Sequence, residues 1–326
     1  MQDPKISIVI PVYNGANYLP QAIDSALAQD YPNKEILVIN DGSNDNGQTA
    51  EVARSYGDRI RYFEKENGGV ATALNLGIEK MEGEYFSWLS HDDIYLPHKL
   101  SRQMRLVQKC GDPCQIVAGG YYIVNEDLKP VGLMDFHVLY PKDKLEIPLF
   151  PVFHCAVNGC TMLIHKSHFE RVGVFDESLP TTQDYDLWFR MLRGKKLMYT
   201  RSLDVLSRVH SGQTSVSMLE QHNIECSQLW ISLLELLTEQ EKKEIGGTIQ
   251  DFYMKIYTHF SRHTTYAAVV DYVKQFVPSS MKMLEPSLRD KIPYYRNRLS
   301  FFITRSINIP AKVRKEIIGR RTIPND

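Results

Sequence analysis

Short apolar runs alternate with helix-like segments through the first hundred residues of this chain. The apolar runs are KISIVIPVYN, KEILVINDGS, IRYFEKE and EYFSWLSHDD, and stretches such as YLPQAIDSALAQ and GGVATALNLGIEKM separate them with helical spacing. Such alternation is typical of βαβ units, in which parallel strands form a sheet and the connecting helices cover its faces. The sequence therefore predicts an α/β fold with a mostly parallel sheet flanked by helices.

The pattern changes in the second half of the chain. Strand signals continue less regularly until two separate runs, KLMYT and LDVLSRVHSGQTS, close the region. From about residue 215 the chain shows long helical patterns such as MLEQHNIECSQLWISLLELLTEQEKKEIGG, without a strand signal of comparable length. We therefore divide the chain into an α/β domain over residues 1–212 and an α-helical C-terminal region over residues 213–326.

Composition places the chain in the ordinary globular class. It has 326 residues, of which 43% are hydrophobic, and this is enough for a substantial core. The N-terminus MQDPKISIVIPVYN lacks the pattern of a secretory signal, and no run reaches the roughly 18 apolar residues of a membrane span. We therefore expect a cytoplasmic protein. Its five cysteines, none in a CxxC spacing, are expected to be reduced thiols.

Charge is unevenly distributed along the chain. Residues 281–326 contain eleven Lys or Arg against four Asp or Glu, so this tail carries +7 and the preceding 280 residues carry −8. The segment YYRNRLSFFITRSINIPAKVRKEIIGRR interleaves aromatic, aliphatic and basic residues, as a helix on a membrane surface does, although Pro310 interrupts it. Two interpretations of this basic tail are open. It contacts the inner face of a membrane peripherally, or it forms a solvated or subunit-contacting face. No motif supports a nucleic-acid partner.

The first long helical pattern of the C-terminal region is unusually apolar. Its apolar positions exceed the single stripe that packing on one neighbour requires. They are Leu229, Trp230, Leu233, Leu234, Leu236 and Leu237. We predict a homo-oligomer from this excess, and packing on the α/β domain is the alternative.

Polar residues end each of the four N-terminal apolar runs. In parallel sheets ligands bind beyond the carboxyl ends of the strands, so these residues are candidates for a site. They are Tyr13 and Asn14, Asn40 and Asp41, Glu66 and Asn67, and Asp92 and Asp93. Adjacent carboxylates repel each other unless a cation lies between them, and Mg²⁺ or Mn²⁺ accepts carboxylate and phosphate oxygens. A helix cap or a surface turn is the alternative for the two aspartates at 92 and 93.

Taken in order, several motifs resemble those of the inverting family 2 glycosyltransferases with a GT-A fold. The resemblance covers roughly residues 5–212. It rests on ISIVIPVYNGANYLPQAIDSALAQ, EILVINDGSNDN, the N-G-G…N-x-G stretch from Asn67 to Gly77, the SHDD end, FDE…QDYDLWFRM and RVHSGQTS. It implies a Rossmann-like sheet, a nucleotide-diphosphate sugar as donor, and Mn²⁺ or Mg²⁺ as cofactor.

The resemblance also implies roles for individual residues. For the nucleotide sugar they are Pro11, Tyr13, Asn14, Asp41, Asn67, Gly69 and Asp92, with Asp41 as the partner of the base. For the metal they are Asp92, Asp93 and His210. Asp184 matches the catalytic base, which takes the proton of the acceptor hydroxyl as its oxygen attacks the anomeric carbon. Asp186 is the nearest rival for the base, and we prefer Asp184 because Leu187 and Trp188 draw the following turn toward the core.

Three positions depart from the family pattern. Ser90 stands where many relatives have the first carboxylate of the Asp-x-Asp motif, and Leu74 occupies a position often held by an arginine near the diphosphate. Gln183 stands where a glutamate commonly precedes the base. The first two are expected to weaken the metal and donor contacts, and the third makes the acceptor pocket less acidic.

These features together predict an inverting, metal-dependent hexosyltransferase. UDP-sugars are the expected donors on family frequency, and the acceptor is a growing glycan, a lipid-linked sugar or a glycoprotein. The alternative is a GT-A-fold binding or regulatory subunit without turnover. A dinucleotide-dependent oxidoreductase is a poor third choice, because the first strand ends in PVYNGANY and not in G-x-G-x-x-G.

Overall fold

Two sheets form the centre of the protein. The computed structural model describes residues 3–154, 156–213, 218–261 and 266–277. The first sheet has the order β3-β2-β1-β4-β8, in which β1 to β4 are mutually parallel and β8 is antiparallel to β4. Its strands are β1 (Ile6–Val12), β2 (Lys34–Asp41), β3 (Arg61–Lys65), β4 (Tyr85–Trp88) and β8 (Ile164–His165). The predicted α/β fold with a mostly parallel sheet is confirmed.

The second sheet has the order β5-β9-β6-β7. Its strands are β5 (Ile94–Tyr95), β6 (Ile116–Val124), β7 (Pro130–Met134) and β9 (Leu197–Arg208). Strand β9 is parallel to β6 and antiparallel to β5. The sequence suggested two separate runs here. The structure has one strand, because β9 bulges opposite Ala118 and Gly120 and so accommodates its extra polar residues without ending.

Helices flank the sheets. They are α1 (Leu19–Leu27), α2 (Gln48–Arg54), α3 (Val70–Lys80), α4 (Lys99–Cys110), α5 (Phe136–Leu139), α6 (Lys142–Leu145), α7 (Phe150–Phe153), α8 (Ser167–Val172) and α9 (Gln183–Leu192), with 3₁₀ turns at Gly57–Arg59 and Gly159–Thr161. Pro20 lies in the first turn of α1, where its missing N–H costs nothing. Helix α4 ends at Gly111, whose φ of 74° is the left-handed conformation that glycine tolerates.

Strand β1 is the centre of the core, and all seven of its residues are buried. Helix α3 lies very close to this strand. A Cβ atom on Gly77 would come within 2.3 Å of Val9 Cγ1, so only glycine permits the approach. This close packing fixes the N-terminal end of α3 at the carboxyl edge of the sheet.

Four further helices follow, and they pack on the α/β domain. They are α10 (Leu219–Leu236), α11 (Glu239–Gly246), α12 (Ile249–Phe260) and α13 (Ala267–Lys274). The ring of Trp230 lies 5.5 Å from Phe153 and 5.9 Å from Tyr185, measured between centroids. One continuous cluster of buried apolar residues spans both regions. The predicted helical character is present in the described residues, and the boundary near residue 212 stays a prediction.

This packing accounts for most of the apolar excess noted in the sequence. Leu236 is 56% exposed, whereas the other five apolar residues of that group are buried within the chain. The homo-oligomer therefore stays a prediction, and the apolar excess of this helix no longer supports it. The basic segment 281–326 lies outside the described residues. Among the residues described, none of the helices combines the length and hydropathy needed to cross a membrane.

Candidate active site

Asp92 and His210 meet at the carboxyl edge of the first sheet. Asp92 lies in the turn after β4, and His210 lies just beyond β9. The Nε2 atom of His210 is 2.9 Å from Oδ2 of Asp92, and Asp92 is only 9% exposed. Burial opposes the negative charge of Asp92, but the hydrogen bond with His210 and the nearby imidazole of His91 outweigh it and lower the pKa of this carboxyl. The site therefore keeps a buried carboxylate beside an imidazole nitrogen.

Asp93 is placed differently. Its Oδ1 accepts a hydrogen bond of 2.8 Å from the backbone N–H of Arg208, and the residue is 5% exposed. Burial and the neighbouring charge of Asp92 raise the pKa of Asp93 to about 8. Its Oδ1 is thus occupied by the strand backbone. The structure brings Asp92 and His210 together as predicted, whereas Asp93 bonds to the junction with β9 and its role as a metal ligand stays a prediction.

Arg208 connects the parts of this site, and sequence reasoning did not single it out. Its buried guanidinium donates to the carbonyl oxygens of Asp92 at 2.8 Å and Glu126 at 2.7 Å, and to Oε1 of Gln21 at 2.5 Å. It also lies 4.3 Å from the ring centroid of Tyr18. The available signal was its place two residues before His210 in RVHSGQTS. Arg208 holds the turn of Asp92 against helix α1.

The ends of β1 and β2 are linked by a network of amide hydrogen bonds. Asn14, with a φ of 49°, donates from Nδ2 to Oδ1 of Asn44 at 2.7 Å and accepts from the N–H of Asn44 at 2.9 Å. Its own N–H donates to Oγ of Ser43 at 2.9 Å. Tyr13 is 43% exposed beside this network, and Pro11 is buried in β1 opposite Ile39. The predicted nucleoside residues Pro11, Tyr13 and Asn14 thus share one strand end.

Asp41 anchors the loop that leads into α3. Its Oδ1 accepts from Nζ of Lys65 at 2.6 Å and from the N–H of Gly68 at 3.1 Å. Its Oδ2 accepts from the N–H of Gly69 at 2.7 Å and from Nδ2 of Asn67 at 3.3 Å. Both oxygens of this buried carboxylate are therefore occupied by the chain itself. Asn67 and Gly69, which are predicted to bind the nucleotide sugar, both donate hydrogen bonds to Asp41. The assignment of Asp41 as partner of the nucleotide base stays a prediction.

Asp184 occupies the first turn of α9. One of its oxygens accepts from the N–H of Tyr185 at 2.8 Å, and the residue is partly exposed. Asp186 instead forms an ion pair with Arg190 one turn later, at 2.5 Å. The next two residues, Leu187 and Trp188, are fully buried, as the sequence indicated. The carboxylate of Asp186 is therefore committed to Arg190.

Aromatic packing holds α9 against the strand that leads to Asp92. The ring of Phe175 lies 5.9 Å from Trp188 of α9 and 6.0 Å from Trp88 of β4. Gly159 lies between the two tryptophans, and a Cβ there would come within 2.4 Å of Trp88. The helix of Asp184 and the strand before Asp92 are therefore parts of one packed unit.

The three departures from the family pattern have structural counterparts. Ser90 donates from its N–H to Sγ of the buried Cys160 at 3.3 Å. Leu74 is fully buried in the core, and the expected loss of a diphosphate contact at this position stays a prediction. Gln183 is buried at the start of α9.

The described part of the chain places no group of three or more His, Cys, Asp or Glu side chains around a common metal position. Asp92 and His210 are two suitable donors, an oxygen and an imidazole nitrogen. Mg²⁺ and Mn²⁺ commonly take only one or two protein ligands and complete their shells with water and substrate phosphates. The pair therefore fits a cation that is bound together with a diphosphate.

Comparisons with known proteins agree with this geometry. The family described as Glycosyl transferase family 2 matches residues 7–173. A Rickettsia felis protein described as an uncharacterized glycosyltransferase is 45% identical over 300 residues, which are 92% of this chain and 49% of the relative. The chain thus spans about half the length of that relative.

Two groups of solved structures share the fold. Staphylococcus aureus TarS, solved with UDP-GlcNAc, superposes with a TM-score of 0.61 at 16% identity and covers 84% of this chain and 82% of that one. The Pyrobaculum calidifontis mannosyltransferase PcManGT, solved with GDP-Man and Mn²⁺, superposes with a TM-score of 0.57 at 16% identity and covers 84% and 76%. These likenesses confirm the GT-A fold.

Proposed function

The chain belongs to glycosyl transferase family 2, and from this premise we propose that it is an inverting, metal-dependent hexosyltransferase that uses a UDP-sugar. The observation that carries the proposal is the contact between Asp92 and His210. It brings a possible oxygen ligand after β4 of the first sheet beside a possible nitrogen ligand after β9 of the second sheet. A buried charged carboxylate beside an imidazole, at the carboxyl edge of a parallel sheet, is the arrangement that a metal-bound diphosphate requires.

Asp92 and His210 would hold the cation. When bound, a divalent cation offsets the negative charge that develops on the departing diphosphate. Arg208 positions this pair, because its guanidinium donates to the backbone carbonyl of Asp92 and so leaves the Asp92 carboxylate directed at His210. Asp93 is not included among the proposed ligands, since its oxygen accepts from the strand backbone.

Asp184 is the proposed base. A general base must lie within hydrogen-bond reach of the hydroxyl whose proton it takes. Asp184 lies at the partly exposed start of α9, while Asp186 is held by Arg190. A single displacement with the base on one face of the sugar and the leaving diphosphate on the other inverts the anomeric centre.

The nucleotide is proposed to lie over Tyr13 and Asn14, where the exposed ring and amide line the edge of the sheet. TarS is described with UDP and UDP-GlcNAc, and the mannosyltransferase with GDP-Man. We favour a UDP-sugar on family frequency. The acceptor is proposed to be a hydroxyl of a glycan, a lipid-linked sugar or a glycoprotein.

The first test is a thermal-shift panel of UDP-, GDP- and dTDP-sugars, each with and without Mn²⁺. A ligand at a hundred times its Kd stabilises the folded state by about 2.7 kcal/mol, which is readily detected. We expect stabilisation by UDP-sugars that depends on Mn²⁺. Stabilisation by another nucleotide class would overturn the donor assignment. Donor binding without turnover on any glycan acceptor would favour the non-catalytic subunit.

A further inference from the structure

Glu225, from the C-terminal helical region, reaches the start of the helix that carries Asp184. This residue lies in α10 and is only 4% exposed. Its Oε1 accepts from the N–H of Thr181 at 2.9 Å and from Oγ1 of Thr182 at 2.7 Å. Glu225 is 43 residues away from Thr182 in sequence, so this is a contact between two separate parts of the fold.

The start of α9 depends on this distant carboxylate. The first N–H groups of a helix have no partner within the helix, and usually the side chain of the preceding residue accepts from one of them. Thr182 holds that preceding position but makes no such hydrogen bond, and its hydroxyl instead donates to Glu225. A carboxylate is favourable at this end because the N-terminus of a helix carries partial positive charge.

The hydrogen-bonded residues directly precede the proposed base. Asp184 follows Thr182 by two residues, so the backbone that carries it continues directly from the segment that Glu225 holds. The same two helices also touch through the rings of Tyr185 and Trp230, which lie 5.9 Å apart. At its other end α9 is held by Arg193, which donates to Glu241 of α11 at 2.7 Å.

The environment of Glu225 contains several buried polar atoms. Its second oxygen, Oε2, is buried and has no hydrogen-bond partner among the described residues, and the same holds for Oε1 of Gln183 and Oγ1 of Thr181. Polar side chains therefore gather where α10 meets the start of α9, beside the proposed base.

We propose that Glu225 is a positioning residue for glycosyl transfer: it fixes the first turn of α9 so that the Asp184 carboxylate faces the acceptor hydroxyl. This inference rests on the proposed function, since it takes Asp184 as the base. It assigns to the C-terminal helical region an indirect part in the reaction, through the residues that precede Asp184.

The test compares Glu225→Ala with Glu225→Gln in the full chain, with Glu220→Ala as control at an exposed position of the same helix. A displacement of about 1 Å in a catalytic group costs on the order of a hundredfold in rate. We expect Glu225→Ala to lower kcat at least about tenfold, with the KM for donor and the donor-induced thermal shift unchanged. Glu225→Gln keeps an oxygen that can accept the same hydrogen bonds from Thr181 and Thr182. Its kcat should therefore stay within about threefold of the wild-type value.

Amide hydrogen exchange provides a readout that does not depend on activity. Glu225→Ala should speed exchange at Thr181 and through the first turn of α9, whereas Glu241→Ala should speed it only near Arg193. If Glu225→Ala does not fold, Thr182→Val removes the donating hydroxyl from the other side and takes its place.

The outcomes separate this proposal from the one on which it rests. If Asp184→Asn is inactive while Glu225→Ala has wild-type kcat and exchange, the positioning role is wrong and the base assignment stands. If Asp184→Asn transfers sugar at the wild-type rate, the base assignment is wrong and the positioning role falls with it, whereas a wild type that transfers no sugar would overturn the proposed function itself. Equal losses of kcat in Glu225→Ala and Glu225→Gln would also contradict positioning by hydrogen bonding.

Discussion

The carboxyl groups of Asp92 and Asp93 are neighbours in sequence but have opposite electrostatic environments. The hydrogen bond with His210 contributes to a lowered pKa at Asp92, whereas burial and the charge of Asp92 raise the pKa of Asp93 to about 8. The turn after β4 therefore presents one charged carboxylate at neutral pH, and the other group joins the turn to β9. The adjacent aspartates that attract attention in the sequence perform two different tasks.

This division predicts different effects for the two isosteric substitutions. Asp92→Asn should remove the Mn²⁺ dependence of donor binding, because it deletes the charged oxygen that faces His210. Asp93→Asn should keep that dependence, since an amide oxygen can still accept from the N–H of Arg208. Thermal shifts with UDP-sugar, with and without Mn²⁺, measure both. Loss of metal dependence in Asp93→Asn alone would contradict the assignment.

Asp184→Asn should lower the rate of transfer by at least about a hundredfold, the usual contribution of a general base. Donor binding should be unchanged, because the substitution keeps the size of the side chain. Asp186→Asn is the matched control. It breaks the ion pair with Arg190, so it should lower the melting temperature slightly but leave transfer near the wild-type rate. Steady-state kinetics of both variants would decide between the two aspartates.

Much of the fold could be predicted from local sequence. The runs that end at Asn14, Asp41 and Asp93 have the period and length of buried parallel strands, and the structure places them together in one sheet. Strand β9 was divided in two, because the polar residues of its bulge resemble a turn in sequence. The local pattern of β9 cannot show that β6 continues to pair with it on both sides of the extra residues.

The site was predictable only as a set of candidates. Motif order identified Asp92, Asp184 and His210, but the contacts that distinguish them from their neighbours come from distant segments. The backbone N–H of Arg208 donates to Asp93, and Arg190 is paired with Asp186. The burial of Leu74 likewise depends on how α3 packs on β1, which no spacing in α3 alone reveals.

Asp41 provides a prediction about the loop before α3. Asp41→Asn removes the charge that accepts from Lys65, Gly68 and Gly69. Hydrogen bonds to a charged group contribute about 2 kcal/mol, so the free energy of unfolding should fall by about that amount. Urea denaturation measures it. Glu66→Gln, at an exposed side chain in the same loop, should leave stability unchanged. An equal loss in both variants would show that Asp41 is not the anchor.

Lys99 predicts a pH dependence of stability. The residue is 1% exposed, and its Nζ donates to Oγ of Ser87 at 2.6 Å, to the hydroxyl of Tyr95 at 3.1 Å and to the carbonyl of Met162 at 3.1 Å. These partners are uncharged, and burial lowers the pKa of Lys99 to about 7 from its ordinary value of 10.5.

The sign follows from proton binding. Between pH 7 and 10.5 the unfolded chain keeps the proton on this lysine and the folded chain does not. The unfolded state then binds more protons, so Lys99 makes the free energy of unfolding rise with pH in this window. The free energy of unfolding of the wild type, minus that of Lys99→Met, should therefore increase by up to about 1.4 kcal/mol per pH unit in this window. Urea denaturation at several pH values, with exposed Lys109→Met as control, checks this. A difference that stays constant would contradict it.

Strand β9 lies between β5 and β6, although it is synthesised long after both. The second sheet therefore cannot close on the ribosome until residues 197–208 have emerged from the exit tunnel. Arg208 and His210 arrive with the same segment, so the sheet and the proposed metal pair are completed together. A growing chain thus holds Asp92 without its partner for more than a hundred residues of synthesis, and the proposed metal pair forms in a single late step.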